Sequence, residues 1–396
     1  MAKPASNANN PAGAGGKPVV AVTLGDPAGV GPEVIVKALA DPVLRRRARF
    51  VVFGMNELLS YAADLAEIEP YWFRLQHDSP RAGYELMHDV VVLDYDEYSM
   101  LGTAFHQPTK QGGQASIRFI DDAIAAALKP TYARGRVDAV VTAPISKTSW
   151  KLAGFTRFPG HTELFAHRTK ARRHAMLFHA ADPAPPGVAA SAAHESPPHD
   201  TTPPPPPRAR GLNVVLATIH LPLMDIRNVL TIGKVYDPID LGNQALKDLG
   251  IEKPRIAVCG LNPHAGEDGL FGDEEKRLIT PAIEMARQHG IDAHGPFPAD
   301  TLFTPRNLAK YDLFVAMYHD QGLIPVKMLA FDSAVNMTLG LPIIRTSPDH
   351  GTAFDIVGQN AADPGSMRSA LHLAIDTAQA RLRAEADREH RRRGAG

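Results

Sequence analysis

The chain carries a single cysteine in 396 residues, which excludes an intramolecular disulfide and a cysteine-rich zinc site. Cys259 lies inside the apolar run RIAVCG, where it reads as a small buried hydrophobe rather than a nucleophile. No apolar stretch reaches the ~20 residues of a membrane-spanning helix. The N-terminal MAKPASNANNPAGAGGKP lacks the apolar core of a secretion signal. Charge excess is missing too, with 42 Lys and Arg against 43 Asp and Glu and a formal net charge of −1. Nothing therefore favours a nucleic acid or an anionic membrane as partner. These absences lead to the expectation of a soluble protein of the reducing cytoplasm. Its length and hydrophobic fraction of 44% suit a large core divided between two domains or lobes.

Proline, glycine and histidine are plentiful, at 34, 32 and 17 residues. Residues 1–17 are rich in Ala, Gly, Asn and Pro and are expected to be disordered. Residues 180–210, with five successive prolines at Pro203–Pro207, cannot form a packed element and read as a disordered insertion between strands. From about residue 384 the last helix is expected to fray into a mobile basic tail.

The remainder alternates short apolar runs with amphipathic segments. VVAVTLG, VVFG, VVVLDY, DAVVTAPIS, AMLF, NVVLATIH, RIAVCG and DLFVAMYH read as strands. PEVIVKALA, ASIRFIDDAIAAALK, EEKRLITPAIEMARQHG and MRSALHLAIDTAQARLRAEA read as helices, the third closed by Gly290. Strands buried on both faces and alternating with helices predict an α/β fold with a largely parallel sheet.

Three of the apolar runs end on histidine, at His220, His264 and His319. Ligands of parallel sheets bind beyond the carboxyl ends of the strands. A lone histidine there is usually a hydrogen-bonded structural residue, but three in one setting make a metal site an equal alternative. The text around them is irregular. LNPHAGEDGLFGDEE surrounds His264 with Asn, Pro and Gly, and Glu267 could be a fourth ligand or a partner to the imidazole. The acidic run Asp273–Glu275 reads as solvated charge at the next helix start. In MYHDQG, Asp320 stands where a carboxylate could orient His319. Lys327, Asn336 and Arg345 follow, the cations set in apolar text that calls for an anionic ligand or an internal ion pair. VTAPISK places Lys147 past a strand, and PGHTE offers His161 and Thr162, with Thr162 as a helix cap the plain alternative. The turn GDPAGVGPE departs from GxGxxG, which weakens any Rossmann reading.

Taken in order, GDPAGVGPE, TAPISK, PGHTE, ATIHLPL, LNPHAGE, GPFPADTLF, MYHDQG and DHGTAFDIVG resemble the 4-hydroxythreonine-4-phosphate dehydrogenase family over residues 19–382. The Pro-rich insertion and both tails depart from the family pattern. The resemblance implies a two-lobed fold similar to isocitrate and isopropylmalate dehydrogenases, with largely parallel sheets and a cleft between lobes. It implies a first lobe of residues 18–140 plus 335–383 on the cofactor side. The second lobe, residues 141–334, would carry the metal site and the interface of a homodimer whose active site is shared between subunits. His220, His264 and His319 become the metal ligands, for zinc first, with magnesium or cobalt as alternatives. His161, Thr162, Lys327, Asn336 and Arg345 would bind substrate. Asp300, Asp320, His161 and Lys327 fall in the catalytic region. His350, Gly351, Thr352, Ala353 and Asp355 resemble the loop that holds the adenosine of NAD or NADP.

The chemistry implied is NAD(P)-linked oxidation of 4-phosphohydroxy-L-threonine. The product, 2-amino-3-oxo-4-phosphooxybutanoate, loses CO2 to give 3-amino-2-oxopropyl phosphate in pyridoxal phosphate biosynthesis. Three alternatives stay open at this stage: a dehydrogenase of D-threonate or D-erythronate 4-phosphate, a metal-dependent hydrolase, and a binder of phosphorylated ligands without catalysis.

Overall fold

The computed structural model describes residues 17–79, 88–98, 106–131, 133–181 and 211–394. The expectations for residues 1–16 and 182–210 lie outside the described residues.

Twelve strands form one continuous sheet. In chain order they are β1 (Val19–Thr23), β2 (Arg49–Gly54), β3 (Phe73–Gln76), β4 (Val90–Asp94), β5 (Ala139–Thr142) and β6 (Ala175–Ala181). There follow β7 (Gly211–Leu216), β8 (Arg255–Cys259), β9 (Asp292–Phe297), β10 (Leu313–Ala316), β11 (Val335–Leu339) and β12 (Ile344–Pro348). Their spatial order is β3-β4-β2-β1-β5-β12-β11-β6-β7-β10-β8-β9. VVVLD and AVVT are buried along their whole length, because helices cover both faces of the sheet.

The sheet is parallel in its two wings and antiparallel in the middle. β11 runs against both β12 and β6, and β6 runs against β7. This splice reverses the direction of one wing relative to the other. The carboxyl ends of β5 and β12 therefore leave the sheet at one end, and those of β7, β10 and β8 at the other. The β3-to-β11 wing draws its strands from residues 19–142 and 335–348, and the β6-to-β9 wing from residues 175–316.

The α/β class and the largely parallel sheet agree with the sequence reading, and several elements depart from it. β3, β9, β11, β12 and the helix Ile232–Asp248 were not expected; β3 is mostly exposed, and the helix carries Pro238 in its interior, so neither shows a clean period. Ala180 and Ala181, placed in the insertion by their alanine-rich surroundings, are the end of β6 paired to Leu212 and Gly211. The last helix continues to Gly394 rather than fraying near residue 384, since its Ala, Arg and Glu residues are strong helix formers. Among the described residues no helix is long and apolar enough to cross a membrane.

Candidate active site

Side chains on a strand alternate between faces, so pairing register decides which residues share a surface. In the middle of the sheet Asn336 pairs with Phe178 on one side and Ser347 on the other, and Arg345 pairs with Val140. Two-residue steps then bring Thr142, Arg345, Ser347, Asn336, Met176 and Phe178 to one face, where they line a cavity of about 280 Å³. Loops from both ends of the sheet wall it. Lys147 and His350 come from the wing of β5 and β12, and His220 and His319 from the wing of β7 and β10.

Arg345 dominates the floor. It is 2% exposed and within ion-pair distance of no carboxylate among the described residues. Its Nε and Nη2 donate to Thr142 Oγ1 at 3.2 and 2.7 Å, and its Nη1 donates to Thr338 Oγ1 at 3.1 Å. One N–H on each terminal nitrogen stays uncommitted, the fork that grips a carboxylate or phosphate. Burial pulls its pKa down to about 9, against a small opposing effect of Glu163. A buried cation with neutral partners is costly until an anion arrives.

His161 opens the helix His161–Arg168 behind Gly160, which caps it without a side chain. Thr162 is therefore not the cap; it is buried and turned toward Thr338. The His161 ring reaches the cavity wall, but its Nε2 is buried and without a hydrogen-bond partner. Burial, helped by Arg345, holds its pKa well below 6.5, so the ring is neutral. Asn336 Oδ1 is likewise buried without a partner. Unsatisfied buried atoms around a cavity are where a polar ligand belongs.

Of the metal-ligand candidates, His220 and His319 stand on the rim of the cavity and His264 outside it. The His220 and His319 rings lie 5.7 Å apart, centroid to centroid, and burial, then Lys147, then His319 lower the His220 pKa. His319 begins the helix His319–Ala330, and its Nδ1 donates to Asp320 Oδ1 at 2.7 Å. His264 Nδ1 donates to Glu267 Oε2 at 2.8 Å. Each carboxylate fixes the tautomer that leaves Nε2 free to ligate. His264 does not line the cavity, and among the described residues no three His, Cys, Asp or Glu side chains gather as a metal set within this chain. The donor chemistry nevertheless fits a divalent ion: neutral imidazoles, two of them backed by carboxylates.

Backbone strain marks two of these histidines. His220 has φ 48°, and His264, Ala265, Glu267 and Asp268 have φ between 41° and 55°. Left-handed backbone costs roughly 1–2 kcal/mol at each non-glycine position and clusters at functional sites.

The other expected residues divide. Asp300 is exposed and outside the cavity, on the short helix Ala299–Leu302 after β9. Asp320 is exposed and committed to His319. Lys327 sits beneath the wall, donating to Asp349 O at 3.0 Å and paired with the Asp349 carboxylate. His350 and Gly351 line the cavity, whereas Thr352 O accepts from Val30 N–H at 3.0 Å, Ala353 has φ 42° and Asp355 is exposed. Asp26 and Glu33 are structural: Asp26 accepts from Ser149 at 2.5 Å, and Glu33 pairs with Lys37. The acidic run at Asp273–Glu275 does not simply solvate a helix, because Glu274 and Glu275 are buried against the His264 turn. Thr142, Thr338, Ser347 and Asp349 escaped the sequence reading: Thr338 and Ser347 share strands with Asn336 and Arg345 that were not read as strands, Thr142 reaches Arg345 only across the sheet, and Asp349 follows β12.

The family description "Pyridoxal phosphate biosynthetic protein PdxA" matches residues 46–374. The 4-hydroxythreonine-4-phosphate dehydrogenase of Desulforapulum autotrophicum is 43% identical over 364 residues, covering 90% of this chain and 95% of that protein. The D-threonate 4-phosphate dehydrogenase of Cupriavidus necator is 38% identical over 367 residues, covering 92% and 98%. A crystal structure of 4-hydroxythreonine-4-phosphate dehydrogenase from Klebsiella pneumoniae superposes with a TM-score of 0.72 at 36% identity, covering 91% of this chain and all of that one. By sequence coverage and by fold, this chain belongs to the PdxA family of pyridoxal phosphate biosynthetic proteins.

Proposed function

We propose that this chain is a dehydrogenase that oxidises 4-phosphohydroxy-L-threonine with NAD or NADP, the 3-oxo product losing CO2 to give 3-amino-2-oxopropyl phosphate. The observation that carries the reading is Arg345: a buried guanidinium, unpaired by any carboxylate among the described residues, on the floor of a cavity whose rim holds His220 and His319. The fork of Arg345 binds an anionic group of the substrate, and the Asn336 carbonyl oxygen accepts from its ammonium or hydroxyl. His161 is the strongest candidate for the base. Asp320 is committed to His319 and Lys327 to Asp349, while His161 keeps a neutral, unpartnered Nε2 beside Arg345. The hydroxyl proton goes to that base, and the hydride goes from the same carbon to the nicotinamide.

His220, His264 and His319 would hold a divalent ion, zinc first, magnesium or cobalt as alternatives. Held there, it would supply Lewis acidity at the substrate hydroxyl. The loop from His350 through Asp355 would face the cofactor; its packing of Thr352 on Val30 keeps it against the GDPAGVGPE turn. Large apolar side chains stand exposed on the segments that follow the three histidines: Leu223 and Met224 after β7, Leu270 and Phe271 after His264, Met328 and Phe331 at the far end of the helix that His319 begins. Exposed apolar groups on each of these segments favour a homodimer whose subunits complete each other's metal set. The buried single cysteine suits the cytoplasm as its compartment.

The test is turnover, followed as the absorbance of the reduced nicotinamide, with 4-phosphohydroxythreonine and D-threonate 4-phosphate compared side by side under each metal and cofactor. Preference for the amino acid supports the proposal. Preference for threonate 4-phosphate moves the chain to the branch represented by the Cupriavidus necator relative. No nicotinamide reduction with either overturns the dehydrogenase reading.

A further inference from the structure

Between β8 and the helix that follows, His264, Ala265, Gly266, Glu267 and Asp268 all hold positive φ, from 41° to 85°. The backbone makes a left-handed turn in which only Gly266 is free of steric cost. Such a turn does not support itself, and a buried acid fills its inside. Glu275, 5% exposed, accepts from the backbone N–H groups of Leu261 and Asn262, both at 2.7 Å through Oε1. Its Oε2 accepts from Asn262 Nδ2 at 2.9 Å. The same amide donates to Glu274 Oε2 at 2.8 Å, and Arg227 pairs with Glu274 at 2.9 Å. A Cβ on Gly266 would stand 2.8 Å from Glu275 Oε2, and one on Gly260 3.1 Å from Oε1. From the other side, Gln321 donates to Gly260 O at 2.8 Å and accepts from Met317 N–H at 2.6 Å, which ties the exit of β8 to the junction that carries His319.

We propose that Glu275 is a positioning residue whose buried carboxylate locks this left-handed turn and thereby aims His264 as a metal ligand. The inference rests on the metal reading above. It assigns Glu275 no contact with substrate or ion; the carboxylate acts through the backbone of residues 261–268. Outer partners of this kind are as specific as the ligands they orient.

The test uses the full-length protein, freed of metal and titrated with Co2+, with affinity and the visible absorption bands as readouts. Glu275→Gln keeps the shape of the side chain but turns one acceptor into a donor against N–H groups. It is expected to weaken Co2+ binding about 10–100-fold and to alter the bands, with circular dichroism unchanged. Gly266→Ala, which presses a Cβ on the intact carboxylate, should do the same, and it decides the matter if Glu275→Gln fails to fold. Asp273→Asn, at the exposed end of the same acidic run, should leave affinity and bands as they are. His264→Ala separates the two readings. If it binds Co2+ like the parent protein, the metal assignment fails and the positioning role with it. If His264→Ala loses affinity while Glu275→Gln and Gly266→Ala retain it, the positioning role alone is overturned.

Discussion

The floor and the rim of the cavity are built on opposite plans. The floor is made of strand residues, with Arg345, Thr142, Asn336 and Thr338 set by the sheet's own ladder and shielded from solvent. The rim, with His264 beyond it, is made of loop and helix-end residues. His264 is 64% exposed at its side chain and His319 42%, each braced by one neighbouring carboxylate. Within one chain the floor is complete, since Arg345 lacks only an anion. The rim is open and flanked by exposed apolar groups. On the proposed reading, anion recognition would belong to the subunit, and metal binding to whatever closes the rim. A rigid sheet fixes charge to within tenths of an ångström, while loops leave ligands free to be gathered later.

The contrast can be broken at several points. His319→Ala should have the largest effect, a loss of turnover of roughly 10³-fold, while inorganic phosphate still protects the fold in a thermal-shift assay. Loss of phosphate protection as well would show that rim and floor are not separable. Arg345→Met should raise the KM for the phosphorylated substrate about 100-fold, with Co2+ affinity unchanged. Arg345→Lys should not restore it, because an ammonium cannot supply the fork. Phe331→Asp combined with Met328→Asp should shift the protein to monomers in analytical ultracentrifugation and abolish turnover while sparing phosphate binding. A monomer of full activity would place the whole site in one chain. Asp320→Asn, which removes the brace on His319, should weaken metal binding about 10–100-fold, as measured by competition with a chromogenic chelator.

The smallest expected effect concerns pH. His161 is buried neutral, with its pKa held well below the 6.5 of an unfolded imidazole. Below that value the unfolded chain binds a proton that the folded chain refuses, so stability rises with pH toward 6.5 and declines as pH falls beneath it. His179 and His220, also lowered by burial, act in the same direction. His161→Gln should flatten the slope of the melting temperature in this window, by a few degrees at most. An unchanged slope would mean that His161 is accessible to protons in the fold.

Much of this was legible in the linear text for a physical reason. Burial on both faces of a parallel strand needs an uninterrupted apolar run, and such runs end where the chain reaches solvent, at His220, His264 and His319. The pairing of Asp320 with His319 is also local, one residue apart, and was readable as such. Asp300 illustrates the limit. A carboxylate in a Pro-rich segment resembles a site residue in sequence, yet only the fold shows that it is exposed outside the cavity, on the short helix Ala299–Leu302 that packs on the His264 turn. Glu275 illustrates the converse, an acid at a helix start that reads as solvated until its distance from Leu261 N–H is measured.

By itself the sequence determined eight of the twelve strand runs, the histidines that follow three of them, the α/β class and the presence of cations in apolar surroundings, because each depends on neighbours within a few residues. The tertiary structure alone decided the antiparallel splice, in which Asn336 meets Phe178 and Ser347, and hence which face carries Arg345. Ser347 reaches Asn336 through a short hairpin, but a partner as remote in the chain as Phe178 is chosen by the packing of the whole sheet. A slip of one residue in that pairing would turn the floor of the site toward the other face.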